Sequence, residues 1–326
     1  MTRLVLGIES TAHTFGVGAC TYEGDIVYNK SSTYATTTGG IHPREAARHH
    51  ADVAPSLIRS ALEELKGYDI DAVSVALGPG LGPCLRVGAV SARALAIRLG
   101  VPLIPVNHAL AHIEIGVKQT VTKDPVSVYI SGGNTALVLF AKGRYAVTGE
   151  TLDISLGNML DVFARDLGFG YPGAPHVLEL ATKGKNLLDL PMAVKGQDVS
   201  FSGLLTSAER LLKSGIDPAD LAYSVVETSF AMVTEITERV LVSSGKKEVS
   251  LTGGVARAAR LVQMLETMCR ERGAGFSVVP QELSGDNGGM IAYVGQLYAN
   301  RGYSVEIARS FVRTRWRLEE APVLWK

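Results

Sequence analysis

Runs of apolar residues separated by short polar turns occur twice in this chain on the same plan. The first copy, RLVLGIESTAHTFGVGACTYEGDIVYNK, starts at residue 3, and the second, PVSVYISGGNTALVLFAKGRYAVTGE, starts at residue 125. Each copy reads as an apolar strand, a small polar turn, a second strand, a turn containing glycine and a third strand. This pattern predicts a β-meander. An internal repeat of this size decides the fold prediction.

Alternating helices and strands follow each meander. After the first, the pattern predicts a helix over 43–66, the strand DAVSVALGPG, the helix CLRVGAVSARALAIRLG, the strand PLIPVN and a helix with two histidines. After the second, it predicts helices near 157–168, 174–184, 203–214 and 218–245, the strand KEVSLTGG, a helix over 255–273, the strand FSVVP and a helix over 287–301, with a loop over 198–203. Strands that alternate with helices favour parallel pairing in a covered sheet. The sequence therefore predicts a duplicated α/β fold.

This duplicated plan resembles the actin, hexokinase and sugar-kinase superfamily, whose two lobes hold a nucleotide in the cleft between them. The resemblance implies an N-terminal actin-like lobe over residues 1–125 and a C-terminal actin-like lobe over residues 126–326. We expect the tail, about 300–326, to pack back on the first lobe.

The composition is that of an ordinary globular protein, with 46% hydrophobic and 20% charged residues. The 32 basic residues balance the 32 acidic ones, whereas dedicated nucleic-acid binders are usually basic overall. Any RNA contact must therefore use a local patch or partner subunits. The three cysteines are isolated in sequence, which favours a reducing cytoplasm over a disulfide framework. Since no apolar run approaches a membrane span and the N-terminus enters a strand at once, we expect neither a membrane partner nor a signal peptide.

Three glycine-containing turns are candidates for anion binding. SGGNT (131–135) lies between two predicted strands, and LTGGV (251–255) leads from a strand into a helix. Consecutive glycines let backbone N–H groups approach a phosphate closely, and a helix N-terminus adds a positive dipole end. GYPGAP (170–175) is a rigid loop before a helix, and Asp161 on the preceding helix offers a carboxylate for ribose hydroxyls. A tight hairpin, a compact strand-to-helix turn and a solvated carboxylate would give the same patterns.

The stretch VNHALAHIE places His108 and His112 four residues apart. On a helix this spacing puts both imidazoles on one face, and neutral imidazole is the commonest protein metal ligand. Tyr129 before SGG and Asp286 in SGDNGGM could complete a site that suits iron or zinc. Structural histidines and a helix N-cap at Asp286 remain alternatives. A zinc protease is excluded, because the HExxH motif needs glutamate where Ala109 stands.

Ten motifs in order from residue 7 to about 293 resemble the tRNA N6-adenosine threonylcarbamoyltransferase family, in the archaeal and eukaryotic form that is the catalytic subunit of the KEOPS complex. They are GIESTAHTFGVG, GGIHPREAARHH, GPGLGPCLRVG, VNHALAHIEIG, YISGGNTALV, GETLDISLGNMLDVFAR, GYPGAP, VSFSGLLT, LTGGVA and DNGGMIAY. Each motif alone is weak, but ten in the family order are specific. The stretch AHT at 12–14 favours the archaeal type.

The resemblance implies the activity and the roles of individual residues. The family transfers the threonylcarbamoyl group from threonylcarbamoyl-AMP to the N6 amine of the adenosine next to the tRNA anticodon. The resemblance also implies one divalent or trivalent metal ion, iron rather than zinc, and a bound adenine nucleotide. Metal ligands would be His108, His112, Tyr129 and Asp286. Nucleotide contacts would come from Tyr129, Ile130, Ser131, Gly132, Gly133, Asn134, Asp161, Gly173, Ala174, Leu178, Gly253, Gly254 and Ala258, and His13 would contact the reacting centre.

Three positions depart from the family pattern. Relatives usually carry glycine at Ala174, glutamate at Leu178 and asparagine at Ala258, all at implied nucleoside contacts. Losing two neutral hydrogen bonds of about 0.5–1.5 kcal/mol each would weaken nucleotide binding by about one to two orders of magnitude. The main hypothesis is an active transferase. The alternative is a diverged metal- and nucleotide-binding KEOPS-like subunit without transferase activity. A sugar kinase or actin-type ATPase is less favoured, because the first turn offers only Glu9 as an acid for Mg²⁺.

The resemblance also implies partners. These are tRNA, a small atypical kinase subunit and the other KEOPS subunits, and a threonylcarbamoyl-AMP synthase that supplies the substrate. Candidate RNA contacts are basic residues in the first lobe and the tail: His42, Arg44, Arg48 and His49, and Arg313, Arg315 and Arg317 around Trp316. A solvated charged face would explain the same residues.

Overall fold

A computed structural model describes residues 2–37 and 40–326. The first meander and the units after it form one five-stranded sheet. Its strands are β1 (Arg3–Glu9), β2 (Thr14–Thr21), β3 (Ile26–Thr33), β4 (Asp69–Gly78) and β5 (Leu103–Asn107), in the order β3-β2-β1-β4-β5. The meander pairs are antiparallel, and β1, β4 and β5 are parallel.

The second meander builds a second sheet with the same arrangement. Its strands are β6 (Val126–Ile130), β7 (Thr135–Ala141), β8 (Arg144–Glu150), β11 (Glu248–Thr252) and β12 (Gly275–Val278), in the order β8-β7-β6-β11-β12. Again the meander pairs are antiparallel, and β6, β11 and β12 are parallel. The predicted duplicated α/β fold is confirmed.

Ten α-helices in the described part of the chain surround the two sheets. They are α1 (Pro43–Glu64), α2 (Gly82–Leu99), α3 (His108–Gln119), α4 (Leu156–Asp166), α5 (Ala174–Ala181), α6 (Ser202–Lys213), α7 (Pro218–Ser244), α8 (Ala259–Glu271), α9 (Gln281–Ser284) and α10 (Gly288–Ala299). No helix of the described residues is both long and apolar enough to cross a membrane.

Short elements differ from the sequence prediction, among them α9, which was not predicted. The helix predicted over 255–273 is broken into a 3-10 turn, Gly254–Arg257, and α8, because Ala258 between them is extended (φ −74°, ψ 103°). The loop predicted over 198–203 includes β10 (Asp198–Val199), which pairs with β9 (Val194–Lys195). Gly196 adopts φ 64° in the connecting turn, a conformation that glycine allows at no steric cost.

The end of the chain returns to the first sheet. Helix α10 packs so closely on β1 and β2 that a Cβ on Gly288 would lie 2.2 Å from the backbone N of Gly18. The first apolar core therefore contains Met290 and Val294 of α10, and also Trp316 of the tail. The domain boundary near residue 125 stays a prediction, but α10 and the tail belong to the first core.

Candidate functional site

Helix α3 presents two histidines at its buried start. The Asn107 side chain caps the helix by accepting a hydrogen bond from the backbone N of Leu110 at 3.1 Å, so His108 is the first helical residue. The rings of His108 and His112 lie 4.7 Å apart between centroids, at 82° to each other. Both residues are almost fully buried. The predicted one-face arrangement therefore exists, and the helix fixes it rigidly.

Asp286, which lies just before α10, meets both histidines. Its Oδ1 is 3.2 Å from Nε2 of His112 and 3.5 Å from Nε2 of His108. One ligand atom from each of the three residues lies within 4.8 Å of the others, a spacing that a metal ion could bridge. The fold thus brings together residues more than 170 positions apart in sequence.

Glu9, at the end of β1, lies behind His108. Its Oε2 is 2.9 Å from Nδ1 of His108, and its Oε1 accepts a hydrogen bond from the backbone N of Thr11 at 2.6 Å. The Thr11 hydroxyl is 3.2 Å from the same Nδ1. A proton held on Nδ1 by Glu9 leaves Nε2, which faces Asp286, as the nitrogen that could bind a metal ion, and outer carboxylates orient metal-binding histidines in this way.

Sequence reasoning considered Glu9 only as a Mg²⁺ ligand and missed this pairing. Glu9 is separated from His108 by 99 residues, so no local spacing reveals it. The available signal was topological. β1 and β5 run parallel to β4 in one sheet, so the end of β1 and the start of α3 lie at the same edge.

Tyr129 connects the histidines to the SGGNT loop. Its ring stacks on that of His112, with centroids 5.0 Å apart and 28° between the planes. Its hydroxyl accepts a hydrogen bond from Nδ2 of Asn134 at 3.3 Å and lies 3.5 Å from the Ser131 hydroxyl. Burial raises the pKa of this phenol. The phenol thus lies between the histidine cluster and the candidate phosphate loop.

The charges of the cluster are strongly coupled. Burial alone would lower the pKa of His108, but the carboxylates of Glu9 and Asp286 outweigh it and raise that pKa to about 9. Burial lowers the pKa of His112. For Asp286, burial opposes ionisation, yet the two histidines hold its pKa well below the usual range. Without a metal ion, His108 is therefore protonated at neutral pH and its charge lies between the two carboxylates, and a bound cation would take the place of its Nε2 proton.

The donor set fits a metal ion. Two imidazoles and one carboxylate are ligands that non-haem iron and zinc sites use. In addition, Nδ1 of His112 is buried and has no hydrogen-bond partner among the described residues. Beside the Asp286 carboxylate, Nε2 of His112 carries the proton, whereas a cation bound at Nε2 would require that proton on Nδ1 instead.

The SGGNT loop has the open glycines expected of an anion cradle. The Ser131 hydroxyl accepts hydrogen bonds from the backbone N of Gly133 and of Asn134, at 3.3 and 3.2 Å. Gly132 and Gly133 are exposed, and a Cβ on either would meet nothing within 4 Å. Neither glycine has a positive φ. Since neither packing nor backbone conformation demands them, their absent side chains leave room for a ligand.

The Asp161 side chain holds a neighbouring loop in place, in addition to any contact with a ligand. Its Oδ1 accepts hydrogen bonds from the backbone N of Gly173 and of Ala174, each at 2.8 Å, and so fixes the GYPGAP loop at the start of α5. Burial raises its pKa. His13 packs edge-on against Tyr171 of the same loop, with ring centroids 5.7 Å apart. Asp161 and His13 thus both contact this loop, and one carboxylate oxygen of Asp161 already accepts hydrogen bonds from it.

Leu178 and Ala258 line one cavity of about 520 Å³ between α5, α7 and the start of α8, which we call the helix cavity. Glu227 and Arg260 also line it and form a two-pronged ion pair with contacts of 2.6 and 2.7 Å. Gly253 approaches β6 so closely that a Cβ would lie 2.2 Å from the carbonyl O of Ile130. The helix cavity includes none of the candidate metal ligands, so nucleoside and metal candidates form separate parts of the site.

Some of the candidate RNA-contacting residues already form contacts within the protein, and others are exposed without an ion pair. Arg48 pairs with Glu45 at 2.7 Å, and Nε2 of His49 lies 3.1 Å from the Ser32 hydroxyl. Arg313 pairs with Glu320 and stacks over the Trp316 ring. Exposed residues without an ion pair in the described chain are His42, Arg44, Arg315 and Arg317.

Comparison with known proteins gives one consistent result. The sequence model of tRNA N6-adenosine threonylcarbamoyltransferase matches residues 25–293. Curated proteins of that name are 53% identical in Thermofilum pendens, over 99% of this chain and 97% of the relative, and 52% identical in Ignicoccus hospitalis, over 98% and 99%. The protein of that name from Thermococcus kodakarensis is 49% identical, over 99% of each chain.

Solved structures at low identity share the fold. HypF from T. kodakarensis superposes with a TM-score of 0.64 at 18% identity, over 92% of this chain and 48% of that one. The activator of 2-hydroxyisocaproyl-CoA dehydratase from Clostridium difficile, with bound ADPNP, gives 0.51 at 15% identity, over 94% and 99%. These likenesses concern the fold alone.

Proposed function

Because this chain belongs to the tRNA N6-adenosine threonylcarbamoyltransferase family, we propose that it transfers the threonylcarbamoyl group from threonylcarbamoyl-AMP to the N6 amine of the adenosine next to the tRNA anticodon. The N6 nitrogen attacks the carbamoyl carbon, the bond from that carbon to the phosphate oxygen breaks, and AMP leaves as N6 loses a proton. The observation that carries this proposal is the 53% identity, over nearly the whole chain, to a transferase of that name.

The residues at the cluster hold and orient the reacting end. Glu9 keeps the Nδ1 proton of His108 in place, and His112 and Asp286 converge on the same point. We propose that these residues, with Tyr129, hold one metal ion. Two histidines and a carboxylate suit either iron or zinc, and we favour iron because the family resemblance implies it. When bound, the ion supplies positive charge against the leaving phosphate.

The SGGNT loop would bind the phosphate end of the donor. Its two exposed glycines allow backbone approach, and the hydroxyl and amide of Ser131 and Asn134 are beside the Tyr129 phenol. Gly253, which packs against the backbone of Ile130, and Gly254 would line this side of the cleft. Asp161 would position the ribose through the oxygen that the GYPGAP loop leaves open, and His13 would make a polar contact at the reacting centre.

The adenosine of the donor would occupy the helix cavity. The aliphatic side chains of Leu178 and Ala258 offer it no hydrogen bond, and Ala174 adds only a methyl group. Other residues of the lining do carry polar groups: Glu179, Thr182, Tyr223, Glu227, Arg257, Arg260 and Gln263. We therefore expect AMP to bind about one to two orders of magnitude more weakly than it would with the glutamate and asparagine typical of relatives.

The partners are also proposals. The balanced net charge supports a reaction in which KEOPS subunits, among them the small atypical kinase, help to hold the tRNA. A separate synthase would make threonylcarbamoyl-AMP. The three cysteines are all buried free thiols, which fits the cytoplasm.

Nucleoside mass spectrometry tests the transfer directly. Unmodified tRNA is incubated with this protein, archaeal KEOPS partners, the adenylate-forming enzyme, threonine, bicarbonate and ATP. We expect threonylcarbamoyladenosine with the wild type and none with Asp286→Ala. Absence of product with the wild type, while a related enzyme is active in the same mixture, would favour the diverged subunit without transferase activity. The names of the relatives favour the transferase.

A further inference from the structure

A second cavity of about 400 Å³ opens beside the histidine cluster, on a different side from the helix cavity. Tyr129 and Asn134 form part of its wall, and Tyr129 stacks on His112. Tail residues Trp316–Glu319 form the opposite wall, so we call it the tail cavity. It shares none of its lining with the helix cavity. The candidate site therefore includes two separate cavities, and the proposed reaction has two nucleoside-containing substrates.

The tail that walls this cavity is held in place although it has little regular structure. The backbone N of Arg313 donates to the carbonyl O of Leu77 at 2.7 Å, and the backbone N of Gly80 donates to that of Thr314 at 3.2 Å. Nδ2 of Asn107 donates to the carbonyl O of Trp316 at 3.1 Å. The residue that caps the histidine helix therefore also fixes the tail, and the cavity is preformed.

The charges around the tail cavity suit an RNA nucleotide. Arg315 and Arg317 are exposed, and neither forms an ion pair within the described ranges, so their guanidinium groups are open to phosphates. Glu150 and Glu319 on the lining offer carboxylate oxygens that can accept from an exocyclic amine, and Val147 adds an apolar surface to the same lining. An oxygen of Glu319 already accepts from the backbone N of Val147 at 3.4 Å, whereas Glu150 has no side-chain partner in the described chain.

We propose that the tail cavity receives the acceptor adenosine, splayed out of its RNA loop. The flat base lies against Val147, Glu150 positions the N6 amine, and Arg315 and Arg317 hold the neighbouring phosphates. Chemistry at a base requires that base to leave its stack, and an unpaired loop permits this. The proposal rests on the proposed function and assigns Glu150 and Arg317 as positioning residues for its acceptor. A second small molecule is disfavoured, because Arg317 on the wall and Arg315, two residues before it, are both exposed and open to successive phosphates of a nucleic-acid strand.

Kinetics with two tail-cavity variants test this assignment. In the complete reaction with partner subunits, Arg317→Ala and Glu150→Gln should each raise the KM for tRNA about tenfold. The slope of log KM against log salt should fall by about 0.7 for Arg317→Ala, the loss of one phosphate contact to a single strand. Binding of AMP should be unchanged. Arg301→Ala, another exposed arginine without an ion pair in the described chain, is the matched control and should behave as the wild type.

Photochemical crosslinking gives a readout that does not depend on turnover. An anticodon stem–loop RNA carries 2-azidoadenosine at the acceptor position and is irradiated with the complete complex. We expect adducts on β8 or on residues 316–319. Adducts confined to α5, α7 or α8 would overturn the assignment, as would wild-type KM values in both variants. A wild-type complex that makes no product would instead count against the proposed function, so the two failures are distinguishable.

Discussion

The contact between Glu9 and His108 makes a prediction at the scale of one residue. Glu9→Gln keeps the size of the side chain but removes the charge that orients the imidazole, so metal affinity should fall about 10- to 100-fold. Titration calorimetry with Zn²⁺ or Fe²⁺ measures this affinity. Glu23→Gln, on the exposed turn after β2, is the matched control. Equal affinities for the wild type and Glu9→Gln would show that Glu9 has no part in the metal site.

His50 makes a second prediction, on stability against pH. Burial is the main cause that lowers its pKa from 6.5 to about 4, and its Nε2 lies 3.1 Å from the carbonyl O of Ala12. The unfolded chain therefore binds this proton at a higher pH than the native protein does. Stability contributed here is present above pH 6.5 and is lost as the pH falls towards 4.

Urea unfolding at pH 6.5 and pH 5 measures that loss. His50 should account for about 1.5 kcal/mol of the difference between the two pH values. His50→Gln does not titrate, so its free energy of unfolding should fall by correspondingly less over the same interval. An identical fall in both proteins would refute the role of His50.

At this scale, the sequence could predict which residues lie together where a motif is local, but not where the residues are distant along the chain. His108 and His112 share a helix turn, and SGGNT is contiguous, so spacing alone indicated their chemistry. Glu9 contacts His108, 99 positions away, and Asn107 contacts Trp316 of the tail, 209 positions away, and only the fold brings these residues together. The hydrogen bonds that the backbone of the GYPGAP loop donates to Asp161 could not be predicted either, because backbone donors leave no pattern in the sequence.

At the scale of elements, Asn107 at the start of α3 has two structural roles. Asn107 caps the helix through its side-chain oxygen and anchors the tail through its side-chain nitrogen. Asn107→Ala should therefore cost about 2–3 kcal/mol, from a lost cap of about 1 kcal/mol and tail carbonyls left unpaired. Asp217→Ala removes only the N-cap of α7 and should cost about 1 kcal/mol. Urea denaturation compares the two, and equal losses would contradict the double role.

Hydrophobic periodicity predicted most of the helices and strands, and the elements that it did not predict are all short. The strands of both meanders and the long helices contain enough apolar positions for the pattern to predict them. The break at Ala258, the short helix α9 and the β9–β10 pair each involve only a few residues. Tertiary contacts such as the approach of Gly253 to β6 determine these short elements, and local propensity cannot.

At the scale of the whole molecule, the histidine cluster joins segments from both ends of the chain. Glu9 comes from β1, the histidines from α3 and Asp286 from the segment that returns to the first core. A ligand bound there stabilises the folded state by mass action, by about 2.7 kcal/mol at a hundredfold excess over Kd. Removing the metal should therefore lower the Tm by about 5 °C.

Differential scanning fluorimetry before and after chelation, with re-addition of Fe²⁺ or Zn²⁺, measures this shift. Asp286→Ala is the control, since its Tm should not respond to the chelator. An unchanged Tm of the chelated wild-type protein would argue that the cluster binds no metal.

The return of α10 and the tail to the first sheet has a practical consequence for dissecting the protein. A fragment that ends near residue 125 would leave the glycine faces of β1 and β2 uncovered and would lack Met290, Val294 and Trp316 from its core. The second half is in effect an insertion within the first, entered after α3 and left before α10. A stable version of the first half thus requires two cuts and a short splice that joins α3 to Asp286.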